Sequence, residues 1–486
     1  MKRSVIFLVA ISILVAVLLL ASCSSAQSGL TNRYDSALLL QIENEHKSFP
    51  SQPRAKTTPD LVKSSDEAVE YYFECSITPT PSNYPVVDVS PHEFTVQDAQ
   101  RVGRALFGDT QFFEYVYDRP VSSEEKEENL ARWESYLSGG KIQDLFKGNE
   151  VLIRDYELVL NRFRANYAAT TDTLSDSFEM TPCQWTFRPD SFYFGELAEK
   201  EPRVIRTIVD SEGVTYRFDV ANRTSEDFSV YMISAYLYNE LSPNNIDELV
   251  QQYELCKSPE PSQTQLQAVE DKVYSVLNAL NVGTWKVDDC HSDRLIRGSQ
   301  EAYVITVRAT PVFGELPVIR QSQLTNLRSE LEGAQHFYYT DAEFTFSPNG
   351  TLLSCTIQSP LDMNRASSVG AIAPEQLLQI AKDHLSRKDI AVYREYYTDD
   401  SNANVSAKVY ITQMQVGLVR IEIANGKTYR YVPALCLDGS FEIYDQTGRL
   451  IMDSSEMGVC RMLAINLLDN SEICFSADNN FTFYQP

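Results

Sequence analysis

One short segment of the sequence contains the densest group of potential metal ligands. Asp288, Asp289, Cys290 and His291 are consecutive, and Asp293 follows two positions later. Together they could offer a thiolate, an imidazole and carboxylates to a transition metal. Consecutive residues of a β-strand point to opposite faces, so these side chains could meet at one ion only in a loop. The alternative is a solvated acidic turn with an incidental cysteine, and we favour it, predicting no metal site.

A second segment begins like a calcium-binding loop. Asp400, Asn402 and Asn404 occupy the first, third and fifth ligand positions of such a loop. The pattern then fails, because Val405 and Ile411 stand where the loop needs a glycine and a bidentate glutamate. We therefore predict a polar hairpin loop at this place.

Other catalytic motifs are absent from the sequence. Its five histidines are far apart, and none belongs to a His-Glu-x-x-His motif. There is also no Gly-x-Ser-x-Gly elbow, phosphate-binding loop or Gly-x-Gly-x-x-Gly motif. A Cys-His pair or paired carboxylates can meet only in the fold, so a hydrolase with dispersed catalytic residues stays an alternative. We assign no catalytic, cofactor-binding or metal-binding residue.

The N-terminus contains the one residue to which we assign a modification. Basic residues 2–3 precede the apolar run 5–20, and residues 20–23 read Leu-Ala-Ser-Cys. That order is typical of a secretory signal. The tetrapeptide resembles the lipobox of bacterial lipoproteins, which implies cleavage before Cys23 and a lipid on its thiol. The alternatives are an uncleaved anchor helix and a secreted protein with a chance cysteine.

Composition excludes one class of partner. The 67 acidic residues against 42 basic ones give a net charge of −25, which argues against nucleic acid because phosphate binding needs clustered cations. The content of 43% apolar residues is that of a globular protein. Eight cysteines remain after Cys23. An exported chain with that even number permits up to four disulfides, for which we predict no pairing.

Hydrophobic periodicity predicts an α+β protein with antiparallel sheets, packed helices and two or three domains. Proline-rich segments at 241–245 and 257–262 mark the main internal boundary. The predicted divisions are a signal peptide (1–22), the lipidated Cys23 with a flexible tether (23–60), an N-terminal α+β domain (61–240), a middle α+β domain (262–365) and a C-terminal domain of one helix and an antiparallel sheet (370–486).

Several local patterns predict single elements. Thr95 is a good N-cap for a helix that ends at Gly108, and Pro374 suits the first turn of another helix. Asn425-Gly426 predicts a tight hairpin turn between alternating strands. Asp438-Gly439 is predicted to be a turn between two short strands.

The segment 94–108, the helix beginning at Pro374 and the segment 431–473 resemble the layout of uncharacterised lipoproteins of gut Firmicutes. In that family a strand with a Val-Pro pair, here Val432-Pro433, precedes an Asp-x-x-Gly turn and an Ile-Asn-x-x-Asp-Gly-Ser ending. Asn470 replaces the glycine of that ending. The C-terminal unit of helix and sheet is also similar to the PepSY module, a small secreted domain often linked to regulation. Neither resemblance supplies catalytic residues.

These observations predict a cell-surface lipoprotein, anchored to the membrane on its extracytoplasmic face by the lipid on Cys23. Its expected role is to bind or regulate another envelope protein without catalysis, with no cofactor and no nucleic-acid partner. A ligand-binding lipoprotein for a sugar or peptide is the first alternative, and the hydrolase is the second.

Overall fold

The computed structural model describes the following residues: 33–34, 60–75, 81–114, 127–128, 131, 135, 181–189, 203–224, 228–238, 246–297, 299–320, 336–337, 340–391, 393, 404–423, 429–457, 459–473 and 482–484. Strands contain 55% of these residues and helices 21%. The predicted α+β class is therefore wrong, and the described part of the chain is mainly β. Several strands are longer than the short strands predicted from the sequence. They continue across β-bulges such as the one between Ile411 and Gln413.

The first sheet has ten strands. Numbered along the chain, they are β1 (Arg33–Tyr34), β2 (Asp60–Lys63), β3 (Val69–Phe73), β4 (Asn83–Pro91), β16 (Leu361–Gly370), β17 (Val405–Ile423), β18 (Tyr429–Asp445), β19 (Leu450–Asp453), β20 (Val459–Asn466) and β21 (Thr482–Tyr484). The main path runs β16-β4-β18-β17-β3-β2. The pairing of β3 with β17 is parallel, and that of β4 with β16 is antiparallel.

The second sheet has eleven strands. They are β5 (Phe112–Glu114), β6 (Arg188–Pro189), β7 (Arg203–Ser211), β8 (Val214–Thr224), β9 (Phe228–Leu237), β10 (Thr284–Arg297), β11 (Gln300–Phe313), β12 (Leu316–Pro317), β13 (His336–Phe337), β14 (Asp341–Phe346) and β15 (Leu352–Gln358). The main path runs β10-β11-β14-β15-β9-β8-β7-β5, and every pair along it is antiparallel.

Four α-helices lie in the described residues: α1 (Val96–Phe107), α2 (Ile246–Leu255), α3 (Gln263–Leu280) and α4 (Pro374–Leu385). The predicted cap of α1 is confirmed, because Thr95 and Asp98 form a capping box. Pro374 opens α4 as predicted. None of the helices in the described residues has the length and apolar character needed to cross a bilayer. A 3₁₀ helix, Ser454–Met457, lies between β19 and β20.

The second sheet is an insertion between two neighbouring strands of the first. The chain leaves the first sheet after β4, builds the second sheet with α1, α2 and α3, and returns at β16. Pro91 at the end of β4 pairs with Leu361 at the start of β16. The outgoing and returning chains therefore lie side by side.

This topology crosses the predicted domain boundaries. The segment 61–240 supplies β2 to β4 to the first sheet and β5 to β9 to the second. Strand β9 pairs with β15, which belongs to the segment 262–365. The boundaries themselves stay a prediction about independently folding units.

Each sheet has its own apolar core. The first core contains β18 and one face of α4, with the fully buried side chains Tyr71, Tyr84, Tyr431 and Phe441. The second core is covered by α1 and α3, and its largest buried side chains are Phe218, Phe344 and Phe346. Burial of aromatic rings of this size makes a large hydrophobic contribution to the stability of each core.

Asp438 and Gly439, predicted to form a turn, lie instead within β18. A methyl group on Gly439 would overlap the backbone carbonyl oxygen of Tyr410 and lie 3.2 Å from Cα of Ile411. The bulge in β17 brings its backbone unusually close to this residue. Only glycine fits that approach without moving a strand.

We expect Gly439→Ala to lower the free energy of unfolding by at least about 3 kcal/mol, because two backbones must separate to admit the methyl group. Urea unfolding followed by circular dichroism measures the change. Ser440→Ala, one position along the same strand, is the control and should cost less than about 1 kcal/mol. Equal stability of the two variants would show that β17 and β18 do not approach in this way.

Candidate functional site: the joint between the sheets

The two sheets meet where the β11–β12 hairpin and residues 318–319 reach the first core. We call this contact the joint. Although they belong to the inserted segment, Phe313, Leu316, Val318 and Ile319 are buried in that core. Val318 forms a parallel bridge with Leu418 of β17. The Ile319 amide donates to the carbonyl oxygen of Leu418 at 2.8 Å. Residues 318–319 therefore act as a short extra strand that ties the insertion to the first sheet.

Gly417 makes room for this contact. A methyl group at position 417 would overlap the Ile319 side chain and lie 3.0 Å from the carbonyl oxygen of Pro317. Ile319 itself is 4% exposed. The isoleucine thus occupies the space that any other residue at 417 would fill, and the joint depends on a specific glycine.

Arg320, the next residue, binds two acids of the second sheet. Its guanidinium lies 3.5 Å from a carboxylate oxygen of Asp288 in β10 and 3.5 Å from one of Asp341 in β14. Its backbone carbonyl accepts a hydrogen bond of 3.4 Å from Arg461 of the first sheet. Arg461 in turn forms a bidentate pair with Asp438 at 2.6 and 2.8 Å. One hydrogen bond to a backbone carbonyl therefore links the ion pairs of the second sheet to the buried ion pair of the first.

The two acids that Arg320 contacts have raised pKa values. Burial raises the pKa of Asp341 to about 6, and the negative charges of Glu343 and Asp288 act in the same direction. Arg320 and Arg308 oppose this shift without cancelling it. Burial also raises the pKa of Asp288 above its ordinary value. Loss of hydration disfavours the charged form of a carboxyl, so both acids hold their protons to a higher pH than an exposed aspartate does.

The predicted ligand-like segment lies in strand β10, so the acidic turn that we favoured is wrong. Asp289, His291 and Asp293 share one face, where the His291 ring nitrogens lie 3.0 and 3.2 Å from the two carboxylates. Cys290 lies on the other face, with its sulfur 3.8 Å from the Leu266 carbonyl oxygen of α3. Asp288 sits at a bulge and reaches Arg320. Consecutive residues of a strand point to opposite faces, so the Cys290 thiol and the His291 ring cannot meet at one ion.

Among the described residues, no group of three or more His, Cys, Asp or Glu side chains could hold a metal ion. Of the calcium-like segment, Asp400 and Asn402 lie outside the described residues. Val405 and Ile411 are buried in β17.

A second contact lies where the chain crosses between the sheets. The His92 amide donates to the Pro360 carbonyl oxygen at 2.7 Å, which ties the outgoing chain to the returning one. The His92 ring bridges Asp98 of α1 at 3.2 Å and Asp362 of β16 at 3.0 Å. Hydrogen bonds to these acids and their charges raise its pKa, and burial opposes this without cancelling it.

Asn222 of β8, in the second sheet, binds the backbone of the segment that leads out of the first sheet. Its side-chain oxygen accepts from the Phe94 amide at 3.0 Å, and its side-chain amide donates to the Phe94 carbonyl at 2.8 Å. Asn222 is 4% exposed. One buried amide thus satisfies both backbone groups of a residue outside any strand.

Seven cysteines lie in the described residues, and all are unbonded thiols. Burial raises the pKa of Cys256, Cys355 and Cys436 to about 12. Such thiols stay protonated at neutral pH and are poor nucleophiles. Cys23, the predicted lipid site, and Cys474 lie outside the described residues.

No protein-family model, curated protein or solved structure matches this chain. The joint is therefore interpreted from its own geometry. Its contacts favour a structural coupling between two sheets over a reaction centre, because its carboxyls and rings are bound to arginines and to one another.

We expect Arg461→Ala to lower the free energy of unfolding by about 3–5 kcal/mol, because it leaves the carboxylate of Asp438 without its partner in the core. Asp438 is 3% exposed and Arg461 is 7% exposed. Arg449→Ala is the control, since Arg449 is exposed, and should change stability by less than about 0.5 kcal/mol. Urea titration of both variants measures the difference, and equal midpoints would contradict a buried pair.

Proposed function

We propose that this chain is a lipoprotein anchored through Cys23 to the extracytoplasmic face of the cell membrane, where it binds another envelope protein. The observation that carries the proposal is the order of the N-terminal sequence: a basic start, the apolar run 5–20 and the Leu-Ala-Ser-Cys tetrapeptide. A signal peptide needs only small residues before its cleavage site. The cysteine directly after them supplies the thiol that a lipid transfer requires.

The anchor has a simple physical basis. One acyl chain binds a bilayer only marginally, whereas two or more hold a protein firmly. Cleavage before Cys23 removes Lys2 and Arg3 and no acidic residue, which changes the net charge from −25 to −27. An anionic membrane surface repels a body of that charge. The attachment therefore depends on the lipid rather than on electrostatic attraction.

A role in binding is supported by the state of the nucleophilic side chains. Burial raises the pKa of the described thiols, as for Cys355. The rings of His92 and His291 are each bound by two carboxylates. Residues in these states are poorly placed to activate a nucleophile. The strongly negative charge favours partners with a positive surface, because complementary charge speeds association.

We expect the full chain, expressed with a C-terminal tag in a bacterial host, to incorporate an alkyne-labelled fatty acid and to enter the membrane fraction. Cys23→Ala should lose the label, because the thiol that forms the thioether is absent. Cys75→Ala is the control and should keep it. Label on Cys23→Ala, or a purified chain that retains residues 1–22, would contradict the anchor.

The binding role is tested with the same strains by in-cell crosslinking and mass spectrometry. A reproducible envelope partner of the wild-type chain, lost when Cys23→Ala is released from the membrane, is the expected result. A purified chain that turns over a defined substrate and has no such partner would contradict the role.

A further inference from the structure

We propose that the free edge of β10 binds an extended segment of another protein, which adds to the second sheet as a strand and carries lysine or arginine at alternate positions. The inference rests on the proposed binding role and deepens it, because it names the surface and the chemistry of the partner. Two observations carry it. One is the open backbone of residues 289–297, and the other is the row of acidic side chains on one face of that stretch.

Strand β10 is the longest of the strands that end the two main sheet paths. It has 14 residues, whereas β16 has 10, β2 has 4 and β5 has 3. Among the described residues it pairs only with β11. Beyond the bulge at Asp288, residues 289–297 pair with residues 300–308 without a further shift in register. This regular stretch therefore presents an edge to which a strand can be added.

The backbone along this edge has groups that can bind a strand. In an antiparallel pair, alternate residues direct their amide and carbonyl towards the neighbouring strand, and the residues between them direct both groups away. The Val287 amide, at the bulge, donates to the Tyr274 hydroxyl of α3 at 3.1 Å. From 289 to 297, as far as the described residues extend, the backbone forms hydrogen bonds only with β11. The groups directed away are those that an added strand would bind.

One face of the stretch carries acids at the period of a strand. Asp289, His291 and Asp293 occupy alternate positions, and the His291 ring nitrogens lie 3.0 and 3.2 Å from the two carboxylates. The Asp293 side chain is 51% exposed and has no ion pair with lysine or arginine in the described part of the chain. Asp289 shares Arg308 with Glu343, at 3.8 and 2.9 Å. Negative charge therefore exceeds positive charge on this face.

The pattern of side chains on β10 specifies the partner segment. An added strand has the same period of two residues, so its alternate side chains lie opposite Asp289, His291 and Asp293. Lysine or arginine opposite the two carboxylates forms favourable cross-strand pairs. Ile296 lies on the other face and is 63% exposed, so apolar residues between the basic ones also gain a contact.

The same charges disfavour a second copy of this chain as the added strand. In the two-fold antiparallel pairing centred on His291, Asp289 of one copy lies opposite Asp293 of the other, and like charges directly opposite are destabilising. Two chains that each have a net charge of −25 also repel each other. Charged side chains on an edge commonly prevent unwanted pairing. Here their sign selects a basic strand.

Binding of synthetic peptides to the purified full chain tests the proposal. The probe is Thr-Lys-Val-Lys-Thr-Lys-Val with blocked ends. The control peptide, Thr-Val-Lys-Lys-Lys-Thr-Val, has the same composition but can place a lysine opposite only one of the two aspartates at a time. We expect the probe to bind at least about threefold more tightly in fluorescence anisotropy, and to slow hydrogen exchange of alternate amides in residues 289–297. Equal affinities, or unchanged exchange in β10, would overturn the proposal.

Matched double variants separate the edge from the overall charge. Asp289→Asn with Asp293→Asn removes the two charges that pair with lysine and should weaken probe binding by about fivefold. Asp271→Asn with Asp383→Asn removes two charges from exposed positions on helices and should change binding by less than about twofold. Equal losses in the two double variants would overturn the proposal. So would exchange in β10 that slows as the concentration of the peptide-free chain rises, because a second copy would then occupy the edge.

In-cell crosslinking of the Asp289→Asn, Asp293→Asn variant distinguishes this inference from the proposed function. Loss of the envelope partner that the wild-type chain captures is the expected result. A partner that is captured equally well by this variant would contradict the role of β10 and leave the binding role in place. Absence of a partner from the wild-type chain, together with specific binding of the probe, would contradict the proposed function alone.

Discussion

The first sheet depends on β18, which is buried from Tyr429 to Gly439 and pairs with β17, β4, β19 and β20. Two charged residues lie inside this buried stretch. Arg430 binds Asp88 of β4 at 2.5 Å, and Asp438 binds Arg461 of β20 at 2.6 Å. A slip of one residue in either pairing would turn these side chains to the other face and leave a charge without its partner in the core. The two pairs therefore specify the register that joins the N-terminal and C-terminal parts of the chain.

Because β4 also pairs with β16, the whole second sheet must leave and return at one place. The insertion is then held at two points. One is the place near His92 where the chain passes between the sheets, and the other is the contact of Ile319 with Gly417. Both points combine backbone hydrogen bonds with titratable side chains. The second point also has apolar contacts, because Phe313 and Leu316 of the insertion are buried in the first core.

Local features were predictable from the sequence, and long-range ones were not. The box formed by Thr95 and Asp98, the start of α4 at Pro374 and the pairing of Val419 with Val432 follow from adjacent residues. The α+β class was wrong because bulges that continue a strand have no clear local signal, so Asp438-Gly439 suggested a turn. Arg320 and Asp341 belong to no sequence motif. Their contact depends on the pairing of β10, β11 and β14, which are distant in sequence.

The first sheet combines the N-terminal and C-terminal parts of the chain around the insertion. Lys63 of β2 and Lys408 of β17 each lie opposite Glu70 of β3, so they are two strands, or about 10 Å, apart. Crosslinking the purified chain with a short amine-reactive reagent should join Lys63 to Lys408. Crosslinks of Lys63 to Lys257, Lys272 or Lys286 of the insertion, with none to Lys408, would contradict this arrangement.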